Sequence, residues 1–202
     1  MKLYYSPGAC SLCPHIVLKE SGLAFEAIAA PTKTHRLADG TDYYTINPLG
    51  YVPFLVLDDG RTLHEVAVIV QYLADQAPAR QLAPANSSFE RYKLQEWLNF
   101  IATELHKGFS PLFTPGMPDE AKALAKTRLN ARLQWIDGEL AGKNYLMSDG
   151  FTVADAYLFT VVGWGKHVGV DTANLANLSA FMARVGARPA VLEALRAEGL
   201  LK

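Results

Sequence analysis

The sequence predicts a small α/β domain with a mixed sheet, followed by an all-helical domain. Three observations carry this. Strand and helix signals alternate over the first eighty residues, a Pro- and Ala-rich stretch without periodicity interrupts them, and everything after that stretch reads as helix. "KLYYS" is a short strand-like run ending at Pro7-Gly8, and "SLCPHIVLKESG" is a helix with Ile16, Val17 and Glu20 at helical spacing, stopped by Gly22. "AFEAIAA" alternates like a strand; Pro31 to Asn47 is polar with weak helical content. "VPFLVLDDGRTLHE" reads as a hairpin around Asp-Asp-Gly, and "EVAVIVQYLADQ" is a strongly periodic helix.

The stretch "APARQLAPANSS" places a linker at 81–87, between a domain spanning 1–80 and a helical domain spanning 88–202. "SFERYKLQEWLNFIATELHKGFSPLF" is one long amphipathic helix ending near Pro111. "DEAKALAKTRLNARLQWIDGELAG" is a second, "FTVADAYLFTVVGWGKHV" a buried third, and two short helices follow.

Composition narrows the function classes. Half of the 202 residues are hydrophobic, enough for a packed core, and the net charge is −1 without any Lys/Arg block, which argues against a nucleic-acid partner. No apolar run approaches the ~20 residues of a membrane span. "MKLYYSPG" lacks the apolar core of a signal peptide, and two cysteines do not make a secreted disulfide scaffold. The expectation is a cytoplasmic protein with reduced thiols.

Chemistry concentrates in four places. Cys10 lies after a Pro-Gly turn and before a helix, where unpaired N–H groups favour a thiolate, whereas Cys13 lies one turn inside. The C-x-x-C they form leaves a dithiol redox pair open. "GYVPF" sets a proline ahead of a strand; a cis Val52-Pro53 bond would accommodate it and leave the Val52 backbone groups for a peptide-like ligand. Glu65 starts the periodic helix, either to complement its dipole or to hold a ligand ammonium, while the adjacent N–H groups could take a carboxylate.

On the long helix, at about 100° per residue, Leu94, Leu98, Ile101, Leu105, Phe109 and Leu112 form one face. Asn99, Thr103, His106 and Ser110 form another, flanked by Glu104 and Lys107: either a solvated face or the wall of a polar cleft. If that cleft brings His106 to Cys10, the imidazole can polarise the thiol. The histidines show no metal-ligand spacing, so no metal is expected. Thr152-x-x-Asp155 is a capping box with a folding role.

Taken together, "MKLYYSPGACSL", "NPLGYVPFLVLDDG", "AVIVQYLADQ", "RYKLQEWLNFIATELHKGFSPLF" and "FTVADAYLF" resemble the bacterial beta-class glutathione S-transferases along the whole chain. The resemblance implies a thioredoxin-like first domain, a helical second domain, a homodimer, and glutathione as co-substrate for small hydrophobic electrophiles. It implies Cys10 at the sulfur with His106 as its partner, Val52 on the cysteinyl backbone and Glu65 on the γ-glutamyl ammonium. Asn99, Thr103, Glu104, His106 and Lys107 match the helical wall, with Thr103 and Glu104 lent across the dimer. The chain departs from the family pattern at three positions: His35 replaces a lysine that can hold the glycine carboxylate, Val66 replaces Ser or Gly, and Cys13 is unusual. Tyr5, Phe109, Phe113 and Trp164 are candidates to line an electrophile site, and Phe89, Tyr92 and Phe100 to serve an interface. Two other readings stand beside this one: a glutathione-dependent thiol–disulfide oxidoreductase using Cys10 and Cys13, and a non-enzymatic ligand-binding stress protein.

Overall fold

The first unit is built around β1 (Lys2–Tyr5), whose successive residues Leu3 and Tyr4 are both buried, so both faces of the sheet are covered at this strand. β1 pairs parallel with β2 (Glu26–Ala29), Lys2 opposite Glu26 and Tyr5 opposite Ala29. On its other edge it pairs antiparallel with β3 (Phe54–Val56), Tyr4 opposite Phe54. β4 (Thr62–Leu63) completes a mixed sheet in the order β2-β1-β3-β4. The computed structural model describes residues 1–148 and 150–201.

Each local signal has a physical counterpart. The β3–β4 hairpin closes through Leu57 N–H to the Arg61 carbonyl at 2.8 Å and Gly60 N–H to the Leu57 carbonyl at 3.0 Å, with Gly60 at φ 85°. α1 (Leu12–Ser21) ends where Gly22 turns left-handed, φ 72°, and donates its N–H to the Leu18 carbonyl. α2 (Val66–Gln76) follows β4. Of the polar stretch 31–47, only Tyr43–Thr45 forms a helical turn. It is pinned by the buried Tyr43, whose ring lies 5.5 Å from that of Tyr4 and whose hydroxyl donates to the Tyr51 carbonyl at 2.9 Å.

The second unit, Pro84–Gly186, is built of helices among its described residues, apart from an isolated bridge between Tyr145 and Ser148. It comprises α3 (Phe89–Phe100), a π-helical stretch Ile101–His106, α4 (Lys107–Phe113), α5 (Asp119–Glu139), α6 (Val153–Val162), α7 (Gly165–Val168) and α8 (Ala176–Gly186). The expected single α-helix ending near Pro111 is thus corrected: the ladder widens mid-way, Lys107 N–H reaching the carbonyl of Ala102 five residues back, and Pro111 is accommodated inside α4. The expected core face survives the widening. Leu94, Leu98, Ile101, Leu105 and Phe109 are buried, and only Leu112, at the end, is half-buried. Among the described residues no helix is long and apolar enough to cross a membrane.

The C-terminal segment departs from the expected organisation. Residues 88–202 were assigned to one helical domain, but the compact unit containing Met1–Ala83 also includes Ala187–Lys202. The reason is α9 (Pro189–Ala197), which packs on α1, with Arg188 gripping the Glu20 carboxylate through Nε at 2.6 Å and a second nitrogen at 2.9 Å.

α6 is apolar nearly all round and buried along its length, as the central helix of a bundle must be. Its start is set by Asp155, whose carboxylate accepts from Thr152 N–H at 2.7 Å, Thr152 Oγ1 at 2.9 Å and Leu146 N–H at 2.8 Å. Asp155→Ala would leave two buried N–H donors without their acceptor. We expect a loss of roughly 3 kcal/mol in unfolding free energy, read from the denaturant midpoint at constant slope.

Candidate active site

The loop Ser6–Ser11, between β1 and α1, carries Cys10. Ser11 accepts from Ser6 N–H at 3.1 Å and donates back to the Ser6 carbonyl at 3.2 Å, so one buried hydroxyl cross-links the loop. Gly8 N–H donates to Glu198 Oε2 at 2.9 Å, and the other Glu198 oxygen lies 2.8 Å from His15 Nδ1, with both side chains essentially inaccessible. The turn that follows is closed by Leu12 N–H to the Ala9 carbonyl and Cys13 N–H to the Cys10 carbonyl. This leaves Cys10 half-exposed, its thiol donating to the Val52 carbonyl at 3.2 Å. That carbonyl was expected to be open to a ligand; here the thiol occupies it. The Val52–Pro53 bond is cis, as the sequence suggested.

Cys13 differs from Cys10 in its burial. It is fully buried in α1, and burial first, then the charge on Cys10, pushes its thiol well above the ordinary value.

Glu65, exposed at the start of α2, holds φ 67° and ψ 122°, a conformation that costs a non-glycine residue roughly 1–3 kcal/mol. Its carboxylate caps no backbone group of α2, so complementing the helix start is not achieved by hydrogen bonding. The first helical bonds are donated by Val68 and Ile69 to the Glu65 carbonyl, so the N–H groups of Val66 and Ala67 precede the ladder. The Val66 side chain is buried and packs. His35 also has positive φ, 49°; its ring stacks on Tyr44 with centroids 4.5 Å apart, and its buried Nδ1 has no hydrogen-bond partner. The stack requires Gly50: a Cβ there would stand 2.6 Å from Tyr44 Cε1.

In the second unit, Asn99, Thr103 and Lys107 are exposed, and Glu104 and His106 half-buried, on the stretch running through the π-helical segment. The Thr103 hydroxyl donates to the Asn99 carbonyl at 3.0 Å, and Glu104 accepts from Arg132 Nε at 2.7 Å. Burial, then the Lys107 charge, lowers His106 to about 4, so its imidazole is neutral near pH 7. Its Nδ1 lies 2.7 Å from the Tyr157 hydroxyl, and its ring meets Trp164 nearly edge-on, centroids 5.0 Å apart. Of the residues expected to line an electrophile site, Phe113 is half-exposed and Trp164 half-buried. Phe109 is corrected to a core residue, fully buried beneath Trp164, because it continues the Leu105 face.

Sequence reasoning missed Ser11, Glu198 and Tyr157. Ser11 had no signal beyond adjacency to Cys10, Glu198 stood alone in a helix end, and Tyr157 lay within an apolar run that reads as core.

Residues 8–76 match the family model of the glutathione S-transferase N-terminal domain, and residues 100–189 that of the glutathione S-transferase C-terminal domain. The chain is 49% identical over 200 residues to glutathione S-transferase GstA of Escherichia coli O157:H7, covering 99% of this chain and 100% of that protein. Among solved structures it is similar to the ternary complex of BphK, a bacterial GST, with 57% identity, a TM-score of 0.96, and coverage of 98% and 100% of the two chains. A sphingomonad glutathione S-transferase complexed with glutathione matches with 47% identity, a TM-score of 0.95, and both chains covered in full.

Two measurements test these environments. Alkylation of the native protein at pH 7 should label Cys10 and spare Cys13, with both labelled after denaturation; equal native labelling would contradict the burial. The His106 ring should titrate by NMR with a midpoint near 4 rather than the ordinary 6.5.

Proposed function

The chain belongs to the glutathione S-transferase family and is an enzyme of it, and from that premise we propose that it transfers glutathione to small hydrophobic electrophiles with Cys10 as the reactive thiol. The observation that carries this reading is the pairing of a half-exposed Cys10, held to the Val52 carbonyl at 3.2 Å, with a buried and inert Cys13.

In this reading the Val52 backbone holds the cysteinyl segment of glutathione, replacing the Cys10 bond. The exposed Glu65 carboxylate takes the γ-glutamyl ammonium, and the N–H groups at Val66 and Ala67 take its carboxylate. The strained Glu65 backbone supports a ligand role, since such strain collects at ligand clamps. His35 takes the glycine carboxylate through a ring N–H. Asn99, Thr103, Glu104, His106 and Lys107 supply the helical wall. The protein acts as a homodimer, for which the exposed Phe89 and Tyr92 on α3 provide apolar surface.

Two steps follow chemically. In conjugation, the glutathione thiolate attacks the electrophilic carbon and displaces its leaving group as an anion. In exchange, the Cys10 thiolate attacks a sulfur of oxidised glutathione, forming a mixed disulfide and releasing one glutathione thiolate. His106, neutral near pH 7, serves the sulfur by hydrogen bonding. A dithiol reading through Cys10 and Cys13 is disfavoured by the burial of Cys13.

The test is to incubate reduced protein with oxidised glutathione and read the intact mass. One glutathione adduct on Cys10 is expected; loss of two hydrogens without adduct would indicate a Cys10–Cys13 disulfide and overturn the assignment. Cys10→Ala should abolish exchange and slow conjugation less, whereas equal loss of both would deny Cys10 a separate role.

A further inference from the structure

Tyr157 has no part in the reading above, yet it is the hydrogen-bond partner of His106 Nδ1. It lies in the middle of α6, fully buried but for 2% of its surface, and its hydroxyl is 2.7 Å from His106 Nδ1. The two rings cross at 85° with centroids 5.9 Å apart, and Trp164 closes on the imidazole from another direction. The hydroxyl is delivered by a helix buried along its length, whose first turn is held by the Asp155 capping box. His106, by contrast, ends the π-helical stretch, where the ladder is irregular.

A neutral imidazole has one N–H donor and one bare acceptor nitrogen. Which nitrogen is which follows from the partner already engaged. A phenol is a good donor and a poor acceptor, while a bare imidazole nitrogen is a good acceptor, so the stronger bond of the two possible ones runs from Tyr157 O–H to Nδ1. The proton of the ring then resides on Nε2. A ring flip would exchange Nδ1 for a carbon and break the bond, so the same contact selects the ring's orientation.

We infer that Tyr157 is a positioning residue for His106: its hydroxyl donates to Nδ1, holds the ring in one orientation, and puts the imidazole proton on Nε2, making His106 a hydrogen-bond donor to sulfur and not a base. The inference rests on the reading that His106 serves the sulfur. It assigns Nε2–H the task of stabilising a thiolate, with no net proton transfer to the histidine.

The test uses the full-length protein labelled with 15N-histidine. Two-bond 1H–15N spectra at pH 7 should show His106 as a single tautomer, Nε2 protonated and Nδ1 bare. Tyr157→Phe should mix the tautomers, and reduce kcat for conjugation of a chloronitrobenzene about tenfold with little change in KM for glutathione, since one hydrogen bond is lost without touching ligand contacts. Wild-type His106 protonated on Nδ1 would overturn the inference whether or not the variant folds. If His106→Ala slows conjugation but Tyr157→Phe changes neither tautomer nor kcat, the positioning role alone falls. If His106→Ala leaves both conjugation and adduct formation unchanged, the reading of His106 falls and this inference with it.

Discussion

The buried carboxylate of Glu198 is the constraint on which the first unit depends. A carboxylate without access to water is tolerated only where donors meet it, and here both oxygens are met, one by Gly8 N–H and the other by His15. Such an arrangement is weak evidence for net stability, because desolvation offsets much of the attraction, but removing one partner strands the other. Its effect is therefore one of specification. The placement of the chain end that satisfies the carboxylate docks α9 on α1 and ties the loop that carries Cys10 at Gly8. Ser11 adds the second fixture of that loop through its hydroxyl bonds to Ser6.

The second unit shows the same division between a rigid support and a reactive group. The Asp155 carboxylate anchors the start of α6 through three donors, and burial pushes its carboxyl up to about 6, so near neutral pH the ionised form still accepts them. α6 in turn delivers Tyr157 to His106. The histidine ends the stretch where the helix widens; the Leu94–Phe109 face stays buried through it, while His106 is half-buried and Lys107 exposed.

Three non-glycine residues in the first unit, His35, Glu65 and Gln81, have positive φ, and the first two belong to the set proposed for glutathione. Neither conformation relieves a packing problem evident in the side chains: Glu65 is exposed, and His35 keeps a buried nitrogen without a partner.

Much of the architecture was legible in the sequence. The alternating strand and helix signals, the Gly22 stop, the Asp-Asp-Gly hairpin and the capping box all depend on residues within a few positions of one another, and local chemistry was enough to read them. Cys10 was distinguishable from Cys13 by its place relative to a helix start, and the core face of the long helix by its period. Three things were decided only by tertiary structure: the return of α9 to the first unit, the π-helical widening at Ile101–His106, and the pairing of Tyr157 with His106. Each is set by contacts between residues distant in sequence. Glu198 lies 183 positions from His15, and Tyr157 lies 51 from His106. A lone acid at a helix end and a tyrosine in an apolar run carry no local mark of the partner they will meet, because that partner is chosen by packing.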